Sequence, residues 1–162
     1  MPLNPAQLQT LKAAIDADPV LAAIPKTNDG AFAIVAAMAV PSDPPFIVWK
    51  TSVNPDEILR NGMDWTRVDN LSVGKARIWE WMTNLGTFNP SKANIRAGID
   101  ATWAGTAADL AVRATVYTHC KRNATRLEKL FATGTGSDAS PATMELEQGA
   151  LTTGDVEKVF AL

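Results

Sequence analysis

The sequence predicts a mainly α fold: a helical bundle with one long helix in its C-terminal half, an extended arm and a minor β element. Three observations carry this. Helix starts are spelled out repeatedly, as Asn4-Pro5-Ala6-Gln7, Asn54-Pro55-Asp56-Glu57 and Thr106-Ala107-Ala108-Asp109. In each, a side chain that can accept from a free backbone N–H stands three residues before an amide or acid, and proline, where present, sits where no donor is needed. Apolar residues then recur at helical spacing. Strand-like composition is confined to residues 46–53 and 142–147. With 162 residues, 46% hydrophobic and 20% charged, the chain has the size and composition of one globular domain, 1–162. No Pro/Gly/Ser linker is long enough to divide it.

The first helix is expected over residues 5–17, where Leu8, Leu11, Ala14 and Ile15 form one apolar stripe. Asp18-Pro19 restarts a short turn that Pro25 stops. A small helix from Ala31 to about Ala39 follows; being apolar all round, it is expected to be buried. The breaker cluster Pro41-Ser42-Asp43-Pro44-Pro45 makes a loop. Residues 46–53 read as a strand or as an extended segment laid on helices. A short helix over 55–61 ends at Asn61-Gly62. Asn70 or Ser72 opens the next, with Leu71, Ile78, Trp81, Met82 and Leu85 assigned to one face. Asn89 or Ser91 caps a further helix carrying Ile95, Ile99, Thr102 and Trp103. Thr106 then opens the long helix, read as continuous to Thr133, with Leu110, Ala114, Tyr117, Ala124, Leu127 and Phe131 as its buried stripe. A last short helix starts at Thr152, with Asp155 three residues on.

Composition narrows the function classes. The net charge of −2 excludes a polyanion-binding molecule as a whole, so a nucleic-acid role requires a local basic patch. One cysteine, Cys120, allows no intrachain disulfide, which fits a reducing compartment. Residues 1–5 lack the basic and apolar regions of a secretory leader, and the apolar run 31–40 is too short to span a bilayer, so no membrane partner is expected.

No catalytic constellation is legible. His119 and Cys120 are adjacent on a predicted helix and point about 100° apart, a poor nucleophile–base or metal pair. No phosphate-binding, dinucleotide-binding or zinc-protease motif is present. Catalytic, cofactor-binding and metal-binding residues are therefore all assigned as none, and the chain is expected not to be an enzyme. Lys121, Arg122, Arg126 and Lys129 gather in the last turns of the long helix. They read either as a solvated face suited to the helix dipole or as a basic stripe facing DNA or an acidic partner. The tryptophans lie between Trp49 and Trp103, and Trp79 and Trp81 diverge on one helix, so one of them is expected exposed or in a contact. Residues 134–149 are the expected arm. Gly134 and Gly136 make it costly to order, and Thr143, Met144, Glu145, Leu146 and Glu147 form a strand with an edge a neighbouring subunit could complete.

Several stretches resemble a family of small proteins encoded by tailed bacteriophages and prophages among their virion assembly genes. They are Phe46-Ile47-Val48-Trp49-Lys50-Thr51, Asp64-Trp65-Thr66-Arg67-Val68-Asp69-Asn70, Lys75-Ala76-Arg77-Ile78-Trp79 and Asn94-Ile95-Arg96-Ala97-Gly98, then Ala108-Asp109-Leu110-Ala111-Val112-Arg113, His119-Cys120-Lys121-Arg122 and residues 128–136. The likeness covers about two thirds of the chain. It implies a virion protein assembled in the host cytoplasm, and it carries no catalytic residues. From it follows the expectation of a head–tail connector subunit, an adaptor forming a homo-oligomeric ring between portal and tail proteins, with genomic DNA passing through the channel. A tail-completion or capsid-decoration protein, or a small phage DNA-binding or regulatory protein, are the alternatives.

Overall fold

A computed structural model describes residues 3–144 and 151–162. The fold is mainly helical with one two-stranded antiparallel sheet, as the sequence predicts. The elements run α1 Pro5–Ala17, α2 Pro19–Ala22, α3 Asn28–Ala39, β1 Ile47–Trp49, α4 Pro55–Arg60, α5 Trp65–Asp69, α6 Val73–Thr83, α7 Ala93–Thr102, α8 Ala107–His119, β2 Lys121–Asn123, α9 Arg126–Phe131 and α10 Thr153–Phe160.

Capping chemistry sets most of these starts. Asn4 accepts from the Gln7 N–H while Gln7 Oε1 accepts from the Asn4 N–H, both at 2.9 Å, closing a reciprocal capping box. Thr106 with Asp109 and Thr152 with Asp155 repeat the device at α8 and α10. Asn54 and Ser72 cap α4 and α6 as expected. Asn89 and Ser91 do not cap α7. Its first turn follows Lys92 without a side-chain cap, and Asn89 instead accepts from the Ser91 N–H at 3.0 Å in a preceding turn.

The long helix expected from Thr106 to Thr133 is two helices with a strand between them. α8 ends at Cys120, and β2 pairs with β1. The Lys50 N–H donates to the Cys120 carbonyl at 2.8 Å. The extended segment 46–50 needs a partner for its backbone groups, and that demand outweighs helix propensity at 121–123. Helix resumes at α9 because Thr125 and Glu128 form a further capping box, Thr125 Oγ1 accepting from the Glu128 N–H and Glu128 Oε2 from the Thr125 N–H.

Contacts group the chain into two compact units. Unit 1 comprises residues up to Phe46 and from Asn123 onward; unit 2 is the segment Ile47–Arg122 inserted between them. The chain leaves and returns through strands, not through a flexible linker. In unit 1, α1, α2, α3, α9 and α10 enclose Leu8, Leu11, Ile15, Leu21, Ile34, Met38, Leu127, Phe131, Val156 and Val159. Leu3 is tied to this core by its N–H, which donates to the buried Asp155 carboxylate at 3.3 Å. In unit 2, α4 and α5 pack on α8, and α6 packs on α7, around Trp49, Ile58, Trp79, Met82, Ile99, Trp103, Val112 and Val116. Trp103 meets Trp79 edge to face, 5.3 Å between centroids at 77°. The Trp103 indole N–H finds no hydrogen-bond acceptor among the described residues.

Three expected faces are corrected. α3 is not wholly buried: Ala31, Ile34 and Met38 face the core, while Phe32, Ala33, Ala36 and Ala39 face outward. On α6, Trp79 and Met82 point inward and Trp81 outward, with Leu85 beyond the helix end also exposed. On α8 the inner positions are Asp109, Val112 and Val116, and Leu110 is exposed. The break after His119 removes the register that would have joined Leu110 to Leu127 and Phe131.

Candidate interaction surface

The basic residues do not form one stripe. Lys121 and Arg122 are consecutive on β2, where neighbouring side chains project to opposite faces, and they belong to unit 2. Arg126 and Lys129 lie on α9 in unit 1 and are engaged within it. Arg126 pairs with Asp18, the cap of α2, and this contact first, then the Val20 N–H, holds the Asp18 carboxyl below its ordinary range. The Lys129 ammonium lies over the Phe46 ring, 5.7 Å from its centroid.

The described part of the expected arm, residues 134–144, is folded into unit 1. Thr133 and Thr143 exchange both backbone hydrogen bonds, at 2.8 and 3.0 Å, in an antiparallel bridge. Thr143 therefore has no free backbone edge to offer a neighbour at that rung. Ala142 and Met144 are buried. Gly136 adopts φ +68°, and a Cβ there would stand 2.2 Å from the Phe46 ring, so both backbone conformation and space require glycine. At Gly134, with φ +135°, a Cβ would stand 3.0 Å from the Ala142 Cα. Glu145, Leu146 and Glu147 lie outside the described residues.

His119 and Cys120 do not act together. The His119 Nε2 is 3.1 Å from the Asn61 carbonyl, while the Cys120 thiol is fully buried and burial pushes its pKa up to about 12. A thiol so protonated is a packing group, not a nucleophile. Asp109 is a strongly perturbed carboxylate. The Arg67 guanidinium, at 2.6 Å, and then the Thr106 hydroxyl and N–H hold it down to about 2. It joins α5 to the capping box of α8 and is structural in that position.

What remains unpartnered is apolar surface. In unit 2, Val73, Arg77, Trp81 and Leu85 succeed one another at intervals of four and lie along one outward ridge of α6 and its end. Trp81 is 69% exposed, against 5% for Trp79 two residues before it. Arg77 is exposed and makes no ion pair among the described residues. Trp65, at the start of α5, is also exposed. In unit 1, the outward side of α3 carries Phe32, Ala33, Ala36 and Ala39, followed by the exposed Val40. Beside it opens a cavity of about 250 Å³ lined by Val35, Met38, Ala39, Leu127 and Leu151, with Thr125 and Glu128 as its polar members.

The sequence signalled part of this surface. The divergence of Trp79 and Trp81, about 160° for residues two apart on a helix, requires that one of them leave the core. The α3 face carried a weaker signal, because an all-apolar helix reads equally as buried or as covered by a partner.

No protein-family model, no curated protein and no solved structure matches the chain. Among the described residues no helix is long and apolar enough to cross a membrane, and no group of His, Cys, Asp and Glu is arranged to hold a metal ion.

Proposed function

We propose that the chain is a structural, non-enzymatic virion protein of a tailed phage, a head–tail connector subunit that assembles into a ring between portal and tail. The observation that carries this reading is the outward ridge of α6. A tryptophan 69% exposed, flanked by exposed Val73 and Leu85 and by an Arg77 with no ion pair among the described residues, has the composition of an interface core and not of a solvated helix face. The apolar outer side of α3 in unit 1 is a second such face. Two apolar faces on one small chain suit a subunit with more than one neighbour. The state of Cys120 favours the same reading by removing the nearest candidate nucleophile. The resemblance of residues 46–159 to phage virion proteins supplies the setting: partners would be further copies, portal and tail proteins, and DNA in the channel.

The test is genetic. Deleting the gene from the phage or prophage that encodes it is expected to yield DNA-filled heads and free tails that do not join. Normal infectious particles from the deletion strain would overturn the connector assignment.

A further inference from the structure

We infer that Asn61-Gly62 is a site of self-deamidation, at which His119 promotes the conversion of Asn61 to aspartate and isoaspartate. The inference goes beyond the connector reading and does not depend on it, since the reaction needs no partner. Three observations on unit 2 carry it. First, Asn61 is the one asparagine of the chain that glycine follows. Asn4, Asn54 and Asn89 precede proline, whose nitrogen has no hydrogen to lose, and the others precede residues whose side chains crowd the ring that must close. Second, the pair is open to water. Both residues are exposed at the end of α4, Gly62 takes φ +97°, and its N–H makes no hydrogen bond among the described residues. Third, the fold brings a proton donor to the same peptide group. A carbonyl oxygen only accepts, so His119, at the end of α8, donates its Nε2–H to the Asn61 carbonyl across 3.1 Å.

The reaction balances with solvent water alone. The Gly62 nitrogen gives up its proton to solvent base and bonds to Asn61 Cγ. The Cγ–Nδ2 bond breaks, and Nδ2 takes a proton from water and leaves as ammonia. Water then opens the resulting succinimide at either carbonyl, giving aspartate or isoaspartate; nothing is oxidised or reduced. As the Gly62 N–H ionises, negative charge spreads onto the Asn61 carbonyl oxygen, the atom His119 already contacts. A donor held where charge develops favours that step. His119 lies 58 residues away along the chain, so only the folded state supplies it. Conversion also changes α4. Asn61 Nδ2 donates to the Glu57 carbonyl at 2.8 Å and so closes the last turn. An aspartate oxygen cannot donate there, and it sets negative charge at the negative end of a helix.

Incubation of the folded full-length chain in neutral buffer over several weeks, followed by peptide mapping with mass spectrometry and an isoaspartate assay, tests this. Asn61 is expected to convert ahead of every other asparagine. His119→Ala should slow it about 5-fold, the ratio for loss of one partly solvated hydrogen bond. His119→Gln, which keeps an N–H donor, should stay near the wild-type rate. In denaturant the three chains should convert at one rate, because the donor is no longer held against the peptide. His119→Leu replaces His119→Ala if the latter does not fold by circular dichroism. Asn61 left intact, or converting no faster than the other asparagines, would overturn the inference. So would a folded chain without the donor that converts as fast as the wild type, a His119→Gln chain as slow as His119→Ala, or a difference that persists in denaturant. None of these results bears on the connector reading, which stands or falls with the particle experiments.

Discussion

Trp79 and Trp81 show at residue scale how position on one helix decides what a side chain does. The first fills the unit 2 core against Trp103, and the second faces solvent. Trp79→Ala is expected to cost about 3–5 kcal/mol, since it removes a large buried side chain and leaves a cavity. Trp81→Ala should change stability by no more than ~0.5 kcal/mol, as a surface substitution does. Denaturant unfolding of the two variants checks the pair, and a large loss with Trp81→Ala would place that side chain in the fold after all. Asp109 gives a pH signature. Its carboxyl is held down to about 2 by Arg67, then by Thr106, against an unfolded value of ~3.9. A depressed folded value means that the stabilisation is complete above the unfolded value and is lost as pH falls from there towards about 2. Arg67→Gln should therefore flatten the stability profile across that acid window, measured by denaturant melts. An unchanged profile would dissociate the pair from stability.

At the scale of elements, capping chemistry was the most legible part of the sequence. The boundaries of α1 and the starts of α4, α6, α8 and α10 follow from Asn4, Asn54, Ser72, Thr106 and Thr152. The break between α8 and α9 was not read, although its local signal was present: Thr125-Arg126-Leu127-Glu128 is itself a capping box. The apolar residues on either side matched one helical stripe, and the demand of β1 for a partner is non-local, invisible to a window of sequence. Thr125→Ala should cost about 1 kcal/mol, the usual loss of a cap, in thermal or denaturant unfolding. No loss would mean that the box does not set the start of α9. The segment after α9 carries a second test. Gly136→Ala forces a side chain into a left-handed conformation and against Phe46, and a destabilisation of at least ~1 kcal/mol is expected. A neutral effect would mean that the loop 133–144 is free of unit 1, as an arm would be.

The whole molecule was the least legible scale. The insertion of unit 2 into unit 1 leaves no compositional trace, because the chain passes between them at Phe46–Ile47 and at Arg122–Asn123, in or beside strands. The candidate surface was legible at Trp81, through helix geometry. It was not legible at the cavity, which depends on how α3, α9 and Leu151 meet. The basic residues Lys121, Arg122, Arg126 and Lys129 looked functional while they shared one predicted helix. Divided between β2 and α9, and with Arg126 and Lys129 engaged within unit 1, they lose the character of a stripe. The account therefore rests on the exposed apolar faces of α3 and α6. Its central claim, a connector subunit in the particle, is tested most directly by a reconstruction of the assembled particle from the encoding phage. The account predicts this chain as a ring between portal and tail, with Trp81 of each copy buried against its neighbour. Particles complete in portal, neck and tail with no density for the chain would contradict it.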